Sequence, residues 1–145
     1  MPAEEDSLLH DVPGFATVKE WFGYWPSFHD AEIVSLSLER NSSSRLNVHT
    51  FQTVNETNAL GHYRTTKHAV VCFIFDEIQD LNLAQFSAQN VISGLVLSKN
   101  DEGYSIELGC CYGLCGSLTA KNIRIELESG MPDGSGYGPT GALQT

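Results

Sequence analysis

Basic residues are scarce in this sequence. Eight lysines and arginines stand against 18 aspartates and glutamates in 145 residues, a formal net charge of −10. Phosphate backbones are held by clustered Lys and Arg, so the balance argues against a nucleic-acid partner. Long apolar runs are missing as well: none reaches the roughly 20 residues that cross a bilayer as a helix, and no membrane partner is expected. The opening MPAEEDSLLHDVPG is acidic and lacks the basic start and apolar stretch of a secretory leader. Cysteine is sparse, confined to Cys72, Cys110, Cys111 and Cys115. Cys72, inside AVVCFIF, reads as a buried apolar residue. Cys110 and Cys111 point to opposite faces of a strand. Cys111-x-x-x-Cys115 has no second pair to complete a zinc site. Reduced thiols and a cytoplasmic location are the expectation. Phosphate-cradling glycine loops, the nucleophile elbow and the H-E-x-x-H pair are absent, and neither a metal nor a cofactor is expected.

What is present suits one core of modest size, with 41% hydrophobic residues. A helix is expected over 13–22, capped by Asp11, with Phe15, Val18 and Phe22 on one face and Gly23 ending it. Strands are expected over 31–40 (Val34, Leu36 and Leu38 inward), 45–53, 68–75, 91–99, 103–111 and 118–128. NETNALGHYRTT reads as a loop that breaks the meander. DEIQDLNLAQFSAQN reads as a turn, a short extended piece at Leu81–Leu83 and one helical turn. NDEG, residues 100–103, is a tight hairpin loop, and GCCYGLCGS, residues 109–117, a tight turn or bulge. The fold class is therefore α+β, one N-terminal helix packed on a mainly antiparallel sheet of six or seven strands. Residues 1–128 form a single domain, and 129–145 a glycine-rich tail.

The stretch WPSFHDAEIVSLSLER, residues 25–40, concentrates the chemistry. Three readings are open. Trp25 and Phe28 can plug the helix-to-strand corner while His29 and Asp30 serve turn amides. Trp25, His29, Asp30 and Glu32 can form a partner-binding surface. His29, Asp30 and Glu32 can act as general acid and base in a small hydrolase. Of the other histidines, His49 reads as a wall residue, while His62 and His68 flank a polar loop that can bring them to His29. Asp76, Glu77, Asp80, Asp101 and Glu102 fall in turns, where their summed field can steer a cationic partner.

The run WPSFHDAEIVSLSL resembles the immunity protein 50 family of bacterial polymorphic toxin systems, as does the later rhythm FIFDEIQDLNLAQFSAQNVISGLVLS. The resemblance spans roughly residues 18–128. It implies an α+β cytosolic antidote that binds and blocks a toxin, without catalysis and without a cofactor. The expected partner is a cognate toxin with a basic surface, contacted through Trp25, His29, Asp30, Glu32, Asp76, Glu77 and Asp80. A stand-alone binding domain is the alternative role, and self-association into a homo-oligomer is open.

Overall fold

The computed structural model of the chain describes residues 9–57 and 63–130, with side chains described over 9–52 and 67–130. The acidic lead to residue 8, His62 and the tail from residue 131 lie outside the described residues. Helix α1 is Phe15–Phe22, and the strands are β1 Glu32–Ser37, β2 Ser44–Thr57, β3 Tyr63–Ala84, β4 Val91–Asn100, β5 Gly103–Tyr112 and β6 Cys115–Ser129. All pairings among these strands are antiparallel. The class is α+β, as the sequence predicts, but the sheet curls shut into a barrel in the order β1-β2-β3-β6-β5-β4.

The helix buries Phe15, Val18 and Phe22, the face its spacing predicts. Asp11 does not cap it. The N-cap is Gly14, with φ 92° and no side-chain cap bond. Glycine is required there because a Cβ would strike the Ile125 carbonyl of β6. The neighbouring Pro13 carbonyl accepts the Ile125 N–H at 2.7 Å, which lays the helix entry along β6. At the other end Gly23 donates to the Lys19 carbonyl at 2.8 Å. Lys67 Nζ, from β3, donates to the carbonyls of Trp21 and Phe22 at 3.2 and 3.5 Å, satisfying acceptors that the last turn leaves over. The buried helix face meets an aromatic cluster: Phe15 stacks on Trp25 at 4.5 Å between ring centres, and Trp25 and Phe28 reach Phe73 of β3 at 6.5 and 5.8 Å. Each such ring taken from water contributes about 1.5–3 kcal/mol.

Several strand assignments change. β1 is shorter than expected, and of the three residues expected inward only Leu36 packs on the core. Its register steps from Ile33↔Val48 to Ser35↔Asn47, which leaves Val34 as an extra residue. Ala31 and Ile33 are therefore buried, while Val34 and Leu38 stay 42% and 47% exposed. The polar stretch after residue 54 does not break the meander, since β2 and β3 pair out to Thr57↔Tyr63. The turn expected at Asp76–Asp80 is absent. β3 runs through it to Ala84, absorbing the irregularity with φ 57° at Glu77 and a register shift between Ile78 and Asp80. The helical turn expected after it is irregular chain over 85–90. The hairpin over NDEG forms as expected, with Asn100↔Gly103 paired and Asn100 Oδ1 accepting the N–H groups of Glu102 and Gly103 at 2.9 Å each. The turn within 109–117 also forms. It brings Cys110 and Cys115 to a Cα separation of 5.0 Å, and the two are joined as a disulfide, contrary to the expectation of reduced thiols. That separation is within the range a disulfide spans. Cys72 is buried and Cys111 exposed.

Two features of the barrel wall position the candidate site. Closure is made by a short seam. Glu32 pairs with Val91, and backbone bonds join Asp30 to Ile92, Ile92 to Ala31, Ile33 to Asn90 and Leu95 to Ser27, at 2.8–3.1 Å. Elsewhere the wall is incomplete. β2 meets β3 no further than Ser44↔Phe75, so among the described residues Asp76–Ala84 of β3 pair with β6 along one edge alone. Among the described residues no helix is long and apolar enough to cross a membrane.

Candidate functional site

The Phe-His-Asp-Ala motif is a tight turn at the seam. The Ala31 N–H donates to the Phe28 carbonyl at 3.1 Å. Phe28 and Asp30 both take φ 63°, a left-handed backbone uncommon outside glycine. That geometry sends Phe28 inward, where it is 1% exposed, and leaves His29 and Asp30 at the outer tip. Trp25 is half-buried against Phe15 and Phe28. His29 Nδ1 donates to the Ser93 carbonyl at 3.0 Å, and its Nε2 stands 3.5 Å from Asp30 Oδ2. The turn thus matches the aromatic half of the corner-plugging reading, with Phe28 and Trp25 packed towards the core; the His29 ring, however, serves a β4 carbonyl and not the turn amides.

Glu32 leaves that group. Its ladder partner is His49 of β2, on the face opposite the core. His49 is 0% exposed and its Nε2 lies 3.0 Å from His68 Nδ1, so one ring donates to the other. His68 therefore meets His49, not His29. Burial pushes the Glu32 carboxyl up and both imidazoles down, His49 to about 4, where a charge on His68 adds to the effect.

The second set of acids lies at the other end of the barrel. From the rung of Glu32, His49 and Val70, β3 runs about 20 Å to Asp76 at roughly 3.3 Å per residue. Asp76 is engaged: Oδ1 accepts from Ser43 Oγ at 2.5 Å, and Oδ2 pairs with Arg124 at 3.4 Å. Arg45 and Arg124 flank the buried Ile74 on its rung, and Arg45 also reaches Cys72 Sγ at 3.7 Å and Glu126 at 3.9 Å. Glu77 and Asp80 are exposed. The tip of the β4–β5 hairpin, Asp101 and Glu102, belongs to the same end, because Tyr104 and Ile78 both pair with Ala120 from its two sides. Beside these acids is a cleft of about 610 Å³, lined by Leu38, Glu39, Arg40, Glu77, Ile78 and Leu81 among others. So His29 and Asp30 meet at the outer tip while Trp25 turns to the core, Glu32 pairs beside a histidine pair, and Asp76, Glu77 and Asp80 form a separate acidic end.

One residue of consequence has no conspicuous signal in the sequence. Asn90 is 3% exposed. Its Oδ1 accepts the N–H groups of Ser87 and Leu114 at 2.8 Å each, and its Nδ2 donates to the Ser87 carbonyl at 2.9 Å. It fastens the loop before β4 to the β5–β6 turn, where Gly113, φ 82°, approaches so closely that a Cβ would collide with Asn90. The Gln-Asn pair ahead of an apolar strand was the available signal.

Comparison with known proteins adds one match to this geometry. The family model described as Immunity protein 50 covers residues 15–130, from the start of α1 to the end of β6. No curated protein and no solved structure matches the chain.

Proposed function

The chain belongs to the immunity protein 50 family, and we propose that it binds and blocks a cognate toxin in the cytoplasm, presenting its acidic end to a basic face of that toxin. The observation that carries this reading is an open, partly apolar cleft lined by Glu39 and Glu77, with Asp80, Asp101 and Glu102 at the same end of the barrel, in a chain of net charge −10. Apolar floor and charged rim is the usual anatomy of a protein interface. Complementary charge raises the encounter rate and rejects wrong partners. The acidic end is preferred to the motif at 25–32, because Trp25 and Phe28 are committed to the core and His29 to the Ser93 carbonyl. In this reading the chain is not an enzyme and needs no cofactor, since immunity proteins act by binding.

The test is co-production with the product of the reading frame adjacent to the gene, the candidate toxin. Cells making both should survive where cells making the toxin alone do not, and the two purified proteins should co-elute at low salt. A toxin domain that neither associates with the chain nor loses activity in its presence refutes the proposal.

A further inference from the structure

The long strand β3 changes character halfway. Up to Phe75 it has neighbours on both edges; from Asp76 to Ala84 its partner among the described residues is β6 alone. Its other edge there faces the cleft. On this half Leu81 shares a rung with the buried Leu118, so it points to the core side, yet it is 42% exposed. Ile78, on the rung of the fully buried Ala120, is only half-buried, and Leu38 across the cleft is 47% exposed. An inward residue open to water marks a place where the wall lacks a strand. An unpaired edge is also a row of free backbone donors and acceptors, a template for another chain.

We propose that the cognate toxin is bound by strand addition: an extended, cationic segment of the toxin pairs with the open edge of β3 over residues 79–84 and completes the barrel wall. This rests on the family-based reading of the chain as a toxin-binding protein and names the way the toxin is held. The edge offers about 17 Å of strand, an ordinary length for a docked segment. Alternate side chains of the incoming strand would drop into the cleft against Leu38, Ile78 and Leu81. The others would lie among Glu77, Asp80 and Glu39, which select lysine or arginine. The same carboxylates argue against a second copy of this chain as the occupant, because edge-to-edge pairing would set them against themselves.

The experiment uses the full chain and the candidate toxin, the product of the adjacent reading frame, as the probe. Amide exchange is followed residue by residue, free and in the complex. Strand addition should slow the open-edge amides within 79–84 at least tenfold. The variant L81K should weaken binding at least tenfold with an unchanged melting curve, while V96K, at an exposed position on β4, should bind as the parent does. Tight binding with those amides exchanging as before, or with L81K indistinguishable from the parent, overturns the proposal and leaves the immunity reading standing. Protection that appears without toxin and grows with protein concentration assigns the edge to a second copy and overturns it too. Failure of the toxin to bind at all refutes the immunity reading, and the strand addition with it.

Discussion

Phe28 combines an uncommon backbone with a fully committed side chain: φ 63° at the turn and a ring among Trp25 and Phe73. Phe28→Ala should cost about 3–5 kcal/mol, the usual range for a core aromatic, measurable as a lower urea midpoint at constant m-value. Asn90 is a different kind of residue, valuable for what it satisfies. Asn90→Ala strips three backbone groups of their partner, and each buried group left without one costs about 1–3 kcal/mol. The Leu114 bond is buried and the two to Ser87 are only partly so, and a loss of about 1–3 kcal/mol is expected. Asn90→Asp, which keeps the shape and both accepted bonds, should lose less; equal losses would mean that the bond donated to the Ser87 carbonyl carries the effect. The histidine pair predicts a pH dependence. His49 is held neutral down to about 4 by burial, and His68 is displaced in the same direction. The unfolded chain protonates them near pH 6.5. Their folded-state pKa values are depressed, so stability falls as pH drops from about 6.5 towards 4, by at most about 3 kcal/mol for His49. Glu32, raised by burial, favours the fold in its protonated form and offsets part of that loss near the bottom of the window. Chemical denaturation at pH 7, 5.5 and 4.5 checks the slope, which should shrink in His49→Gln.

At the scale of elements, patterns confined to one stretch of chain were legible and those set by a distant partner were not. The helix was legible because Phe15, Val18 and Phe22 mark one face and Gly23 stops it. The β4–β5 hairpin was legible from NDEG, and β6 from the alternation of Ile123 and Ile125 with charged residues. β1 misled because Val34 is a bulge: the inward phase read from Leu36 does not carry back across it, and Ile33 and Ala31, not Val34, face the core. β3 misled because Asp76, Glu77 and Asp80 look like a turn, while pairing with β6 overrides their weak local preference. For the site, the aromatic corner could be read from Trp25 and Phe28. The meeting of His49 with His68 and the gathering of Asp101 with Glu77 depend on registers that only the fold supplies. The Cys110–Cys115 link belongs to the same class, since the turn between β5 and β6 decides it. A disulfide across so short a loop stabilises by about 2 kcal/mol through the unfolded state. Unfolding with and without a thiol reductant should differ by that amount, and Cys110→Ser should abolish the difference.

The whole molecule carries its charge unevenly. Glu77 and Asp80 are exposed, whereas Asp76 is paired with Arg124. Replacing Glu77 and Asp80 by Gln and Asn should leave stability within about 0.5 kcal/mol, and Asp76→Asn should cost no more than about 1 kcal/mol, as for an exposed ion pair. The double variant should slow association with the toxin on the order of tenfold at low salt, an effect that fades as salt screens the field. Stopped-flow mixing at two ionic strengths reads both; an on-rate indifferent to salt and to the substitutions would leave the charge with solubility alone. The seam between residues 27–33 and 90–95 has a consequence in time. Hairpins β2–β3, β4–β5 and β5–β6 join neighbours in sequence and can form early. The seam joins segments far apart in the chain, and its closure must overcome a larger loop entropy than any of these hairpins. It should zip last, after the folding barrier has been crossed. Phe28→Ala should then leave the refolding rate nearly unchanged and raise the unfolding rate by nearly the whole of its destabilisation, so that this one corner governs how long a folded copy lasts.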